Sequence, residues 1–254
     1  MLARVDAPSP KDRFVTVFGR KPVLEALADA QLRVDKVILA DNARGPAAKE
    51  ILSAASARSV PVERASAHRV KVLAGNGKQD QGVLADVVAP RMRRLSDALA
   101  ADSLSTVLVL DGITTPANVG MILRTATAAG ISGIVVPRRG VASLDPLVVK
   151  ASAGVAFHAP VLRCYTAGEA ASALRAAGFP LFALSASATS SLFTASLPDR
   201  AAFVLGSETA GVSEDVRGSV SSWLSIPLSG GVESLNVASA AAVLCFDLVR
   251  RRAG

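Results

Sequence analysis

Two hydrophobic periods alternate along the chain. Apolar residues recur at helical spacing in "RKPVLEALADA" (20–30) and then condense into a strand pattern at "VDKVILA" (34–40). "GPAAKEILSAASARS" (45–59) predicts a second helix and "VPVERAS" (60–66) a short strand. "QGVLADVV" (81–88) predicts a final strand, reached through the glycine-rich, charged loop "GNGKQDQG". From "STVLVLDGI" (105–113) the strands become continuously apolar, as in a buried parallel sheet, and they repeat at 133–137, 179–186, 201–208 and 223–228. Helical patterns fit between and after them, at 118–129, 146–153, 167–177 and 236–251. The expected fold class is α/β throughout. A loose arm (1–13) precedes a small α/β domain (14–89), a basic and then helical linker (90–103), and a mostly parallel sheet domain (104–254). Ligands of such sheets sit beyond the carboxyl ends of the strands, so polar residues just after strands are the first candidates.

Composition narrows the classes. The chain has 254 residues, half of them hydrophobic, enough for a sizeable core. No apolar run reaches the roughly 18 to 20 residues of a membrane span, and "MLARVDAPSPKDRF" is too poor in apolar residues for a signal peptide. Cys164 and Cys245 lack metal-ligand spacing and read as reduced, buried thiols of a cytoplasmic protein. The net charge of +7 favours a polyanionic partner. Up to residue 103 there are 17 Lys+Arg against 12 Asp+Glu, and beyond it 11 against 9, so the excess lies in the first part. Arg20, Lys21 and Lys78 are its candidate contacts to such a partner. Scarce aromatics argue against a surface built on stacked single-stranded bases. There is no GxGxxG, no P-loop and no metal-ligand cluster, and His68 and His158 have no obvious partners. Hydride transfer, nucleotide hydrolysis and metal hydrolysis lose support.

Three loops hold the candidate chemistry. In "LDGITTPANVGMILRTATAAG", Asn118 is placed to cap a helix and Gly120 to allow close approach to its first turn. Arg124 reads either as an Arg snorkelling from a partly buried helix or as a fixed cation aimed at a phosphate or hydroxyl. In "FVLGSETAGVSEDV", a buried strand ends in Gly206, Ser207 and Glu208 with Gly211 beyond, followed by a helix start capped by Ser213. In "WLSIPLSGGVESLNVASAAAVL", Glu233, Ser234 and Asn236 crowd the entrance of an apolar helix. One of them suffices as a cap. The surplus polarity suggests a ligand or a partner chain.

In this order, the three loops resemble the SpoU (TrmH) family of RNA ribose 2′-O-methyltransferases, within the SPOUT superfamily. Asn118, Gly120 and Arg124 match its first motif, and Gly206, Glu208 and Gly211 its second. Ile226, Pro227, Gly230, Val232, Ser234, Leu235, Asn236 and Val237 match its third. Thr115, Leu228 and Ala238 depart from the family's usual residues without removing one expected to do chemistry. The first part resembles the family's N-terminal α/β/α RNA-binding domain, with Asp80 where that domain usually has histidine.

The resemblance implies a C-terminal trefoil knot, a homodimer, and methyl transfer from S-adenosylmethionine to a ribose 2′-hydroxyl. No metal and no membrane are implied. It assigns Leu205, Gly206, Glu208, Gly211, Ile226, Leu228, Leu235 and Asn236 to the cofactor, and Asn118, Arg124, Glu208, Ser234 and Asn236 to catalysis. Arg124 is the family's proposed base. A guanidinium with a pKa above about 12 rarely yields its proton, so support of a forming alkoxide, or a grip on phosphate, is an equal alternative. Arg138, Arg139 and Lys150 lie after or near strand ends and read as RNA-backbone contacts or as plain surface charge. Members with the extra domain modify ribosomal RNA, which favours large-subunit rRNA over tRNA. A catalytically silent rRNA-binding scaffold is the rival from another class.

Overall fold

The computed structural model describes residues 12–75 and 80–253. Most of the arm expected at 1–13, together with Lys78, lies outside the described residues. Two compact units form: one runs to Pro90 and includes Leu144–Pro146, and the other comprises Arg91–Ser143 and Leu147–Gly254.

The smaller unit runs β1 (Phe14–Phe18), α1 (Arg20–Ala28), β2 (Val34–Ala40), α2 (Pro46–Ala57), β3 (Val62–Ala65), α3 (Ala67–Ala74) and β4 (Val83–Val88). Its sheet has the order β1-β4-β2-β3, parallel only between β2 and β3. Val70 of α3 packs on the face bearing Phe18, Ile38, Ala40 and Leu84. Strand alternation sends the buried Val17, Val37, Leu39 and Ala85 to the other face, against α1, which packs on α2. Helix α3 has no counterpart in the predicted elements because Val70 is its one fully buried residue, leaving no apolar period to read. Its ends are set locally instead: Ser66 Oγ accepts from the Arg69 N–H at 3.2 Å, and Gly75 closes it in the left-handed region. At the turn into β4, the buried Asp80 accepts from the Gly82 N–H at 2.7 Å, so this carboxylate holds the turn.

The larger unit runs β5 (Arg93–Arg94), α4 (Leu95–Ala100), β6 (Thr106–Leu110), α5 (Pro116–Ala128), β7 (Gly133–Val135), α6 (Pro146–Ala151), a 3₁₀ turn (Val155–Phe157) and β8 (Val161–Arg163). It continues through α7 (Ala167–Ala176), β9 (Leu181–Leu184), β10 (Ser190–Ser191), β11 (Ala201–Leu205), α8 (Glu214–Arg217), β12 (Ser222–Ser225) and α9 (Val237–Ala253). Eight strands form one sheet in the order β10-β12-β9-β11-β6-β7-β8-β5, with every described pairing parallel. Residues within the stretch read as a linker take part: β5 pairs with β8, and α4 buries Leu95 and Ala98.

One face of this sheet packs Val107, Val109, Ala183 and Val204 against α4, α7 and α8. Leu108, Leu110, Phe203 and Leu205 alternate with them and are also fully buried, on the side where α5 and α9 pack together. The end of α9 is held by charge. Asp247 is 6% exposed and accepts from Arg250 at 2.7 Å and Arg251 at 2.6 Å, while Arg251 also donates to the carbonyls of Leu192 and Ala195. Burial works against the Asp247 carboxylate, but the hydrogen bonds from Arg251 and Arg250 outweigh it and hold its pKa below the ordinary range. Burial pushes the thiols of Cys164 and Cys245 up to about 12. Among the described residues no helix is long and apolar enough to cross a membrane, and no group of His, Cys, Asp and Glu could hold a metal ion.

Candidate active site

The three motif loops follow β6, β11 and β12, and strand order places β6 beside β11 with β9 between β11 and β12. All open at the carboxyl edge of the parallel sheet. Asp111 ties the first two together. This residue is 6% exposed, donates its backbone N–H to the Leu205 carbonyl at 2.9 Å, and accepts from the Ser213 N–H at 2.7 Å through its carboxylate. Its sequence signal, an acid directly after a buried strand, is the same one that marks Glu208.

Asn118 occupies a different place from the cap predicted for it. Pro116 starts α5, because its fixed φ and missing N–H suit the first helical position, so Thr115 is the N-cap and Asn118 falls inside the first turn. The Asn118 side chain is 6% exposed and donates through Nδ2 to Glu208 Oε1. Its Oδ1 accepts from Asn236 Nδ2 at 3.1 Å. Asn236 in turn caps α9, its Oδ1 accepting from the Ala238 N–H at 2.9 Å and the Ser239 N–H at 3.4 Å. Since that oxygen faces backbone donors, its amide nitrogen must be the group that reaches Asn118. Asn118 is then forced to donate onward to the carboxylate. One residue from each motif thus joins a single directed relay.

The glycines serve the protein's own packing. A Cβ on Gly120 would lie 2.5 Å from the Ala151 Cβ and 2.7 Å from the Val148 carbonyl oxygen, so what approaches α5 closely is α6. A Cβ on Gly206 would meet the Gly211 backbone at 2.3 Å, across a loop closed by the paired N–H and C=O groups of Ser207 and Gly211, each at 3.0 Å. Gly211 completes that loop at φ 67°.

Beside the relay lies a cleft of about 920 Å³, lined by Leu205, Gly206, Glu208, Gly211, Ile226, Leu228, Ser234 and Leu235, all of which the sequence singled out. It is also walled by residues 184–190, which run from the end of β9 to the start of β10, and by Arg217 and Trp223. The β9 loop, "LSASATS", carries the same positional signal as the others, at the carboxyl end of a parallel strand, but its small Ser and Ala residues do not stand out in sequence. Ser234 is exposed and has no hydrogen-bond partner among the described residues. Arg124 does not line the cleft. It lies on the exposed side of α5 with Met121 and Ala128, and forms no ion pair or hydrogen bond among the described residues.

The candidate RNA contacts are scattered. Arg20 and Lys21 are exposed at the start of α1, where Lys21 faces Glu25 at 3.8 Å. Arg138 and Arg139 are exposed just beyond β7, and their backbone N–H groups extend its pairing with the β8 segment. The Arg139 guanidinium lies 5.7 Å over the ring of Tyr165. Lys150 is exposed in the last turn of α6.

Comparison with known proteins matches residues 105–246 to the SpoU rRNA Methylase family model, and residues 16–93 to the model described as RNA 2′-O ribose methyltransferase substrate binding. A protein of Staphylococcus saprophyticus assigned to the TrmH family of tRNA/rRNA methyltransferases is 31% identical over 94% of this chain and 96% of its own length. A 23S rRNA (guanosine-2′-O-)-methyltransferase RlmB of Burkholderia sp is 36% identical over 83% of this chain and 85% of its own. The crystal structure of the SpoU methyltransferase AviRb of Streptomyces viridochromogenes, in complex with the cofactor AdoMet, superposes with a TM-score of 0.61 at 25% identity, covering 94% of this chain and 90% of that one. With its three motif loops joined by one hydrogen-bond relay and its length matched almost end to end, the chain belongs to the SpoU methylase family.

Proposed function

We propose that the protein transfers a methyl group from S-adenosylmethionine to a ribose 2′-hydroxyl of RNA, in large-subunit rRNA. The observation that carries this reading is the Asn236–Asn118–Glu208 relay at the edge of the cleft. The donor set suits the cofactor: Leu205, Ile226, Leu228 and Leu235 offer apolar walls and backbone groups to an adenosine, and the charged side chains of the lining are Glu208 and Arg217. No cluster of cations of the kind a polyphosphate needs is present among the lining residues.

When bound, S-adenosylmethionine supplies an electrophilic methyl on a sulfonium. The chain's own residues position and stabilise the hydroxyl that attacks it. Asn236 fixes Asn118, and Asn118 fixes the Glu208 carboxylate at the lip of the cleft. Ser234 offers an uncommitted hydroxyl there. Arg124 presents a positive charge to the developing alkoxide or the neighbouring phosphate, the hydroxyl proton leaving to solvent as the O–CH3 bond forms and the S–CH3 bond breaks. The family's trefoil knot, in the segments around the second and third motifs, belongs to this reading.

So does a homodimer built on α5 and α9, supported by the exposure of Met121 (41%) and Phe246 (51%) on those packed helices. The exposed Arg124 would then meet substrate at the rim of that assembly. The substrate-binding match at 16–93 supports an RNA substrate held by the basic first part, the RlmB relative supports rRNA, and the reading places the reaction in the cytoplasm. The test is labelled-methyl transfer to unmodified rRNA, with 2′-O-methylation mapped in cells with and without the protein. Arg124→Ala is expected to abolish transfer while cofactor binding and stability persist, because the side chain is exposed and unpaired. Full activity of that variant would overturn its assignment.

A further inference from the structure

The cleft is also lined by residues that the relay does not use. Arg217 and Glu208 are the charged residues among its lining, one of each sign. Arg217, at the end of α8, is held from three sides. Its Nε faces Glu214 at 3.3 Å, its Nη2 donates to the Val212 carbonyl at 3.4 Å, and its guanidinium lies 5.4 Å over the ring of Trp223. Its Nη1 has no partner among the described residues. Stacking on an indole restrains a guanidinium without using its in-plane donors, so this arrangement presents an oriented N–H group from a cleft wall.

A cofactor with an amino-acid tail brings an ammonium and a carboxylate into the same cleft. The Glu208 carboxylate in the lining would complement the ammonium. The carboxylate needs a cation, and the lining supplies one. We infer that Arg217, braced by Trp223, binds the α-carboxylate of the methionine moiety and so selects the intact cofactor over analogues lacking that group. This assignment rests on the S-adenosylmethionine reading above and goes beyond it by naming a residue outside the three motifs.

Trp223 is the chain's single tryptophan, so intrinsic fluorescence reports directly on this wall. The experiment titrates S-adenosylmethionine and its decarboxylated analogue into wild type, Arg217→Ala and Arg217→Lys, following Trp223 emission and the heat of binding in parallel. Arg217→Ala is expected to bind S-adenosylmethionine roughly 10- to 100-fold more weakly, the span of a charge-assisted hydrogen bond. Its affinity for the decarboxylated analogue should match that of wild type, and Arg217→Lys should recover part of the loss. An equal loss for both ligands would overturn the inference, since Arg217 would then only shape the wall. An unchanged affinity of Arg217→Ala for both would overturn it as well. Wild-type protein that binds neither ligand would remove the cofactor reading itself, a failure separable from the other two.

Discussion

Replacing Asn118 tests the relay most directly, because a truncation and an isosteric substitution should behave differently with pH. Asn118→Ala removes a hydrogen bond to a carboxylate and one to an amide, both made by a side chain 6% exposed. The stranded partners, Glu208 and Asn236, are themselves exposed and can recover water. The cost should therefore stay at about 1–2 kcal/mol, below that of leaving a buried group unpaired. Asn118→Asp keeps the shape but replaces the donor with an acceptor facing Glu208. Two carboxylates about 3 Å apart repel by about 5 kcal/mol at an effective dielectric near 20, and the pair relieves this by keeping one proton. One acid of the pair then has a folded pKa above its unfolded value of about 4. Its penalty is absent well below that value and grows as pH rises toward the folded pKa. Urea unfolding followed by Trp223 fluorescence, which reports the larger unit, should place Asn118→Asp near wild type at about pH 4 and about 3 kcal/mol below it at about pH 8. Asn118→Ala should show no such slope. Equal and pH-independent losses for the two variants would refute the donor role of Asn118.

Further outcomes follow from the same structure. Asp247→Ala leaves the half-buried Arg251 against carbonyls without its carboxylate, and should cost about 1.5–3 kcal/mol at neutral pH in the same unfolding assay. Because the folded pKa of Asp247 is lowered, its contribution is full above the unfolded value of about 4 and is lost as pH falls through the folded pKa. The gap between wild type and Asp247→Asn should accordingly close in acid. Cys164 and Cys245, with thiols at about 12, should resist alkylation at about pH 8 until urea exposes them, as counted by mass spectrometry. For the proposed homodimer, Phe246→Glu on the exposed side of α9 should leave the fold intact and convert the dimer expected of wild type at micromolar concentration to monomer in sedimentation; an unchanged dimer would move the interface elsewhere, and a monomeric wild type would remove it.

The sequence by itself determined whatever is written in local order. Continuous apolar runs announced the buried parallel strands, since both faces of such a sheet are covered, and the three motif loops were legible because each follows one of those strands within a few residues. Composition placed the basic excess in the first part. What sequence could not carry were elements whose identity depends on contacts made elsewhere. Helix α3 buries one residue fully, and β8 has three residues paired between distant neighbours, so neither leaves a period to detect.

Tertiary structure decided the site. Asn118 reads as a cap in isolation, and only the approach of Glu208, 90 residues away, and Asn236, 118 residues away, turns its amide inward as a relay. Gly120 and Gly206 look like openings for a ligand, yet the space beside each is filled by the protein's own backbone. Arg217 and Trp223 belong to none of the three motifs and become part of the cleft lining only when the guanidinium lies over the indole. Periodicity reports which face of an element is buried. Which polar groups are brought together is a property of strand order, and strand order is written only in the packing.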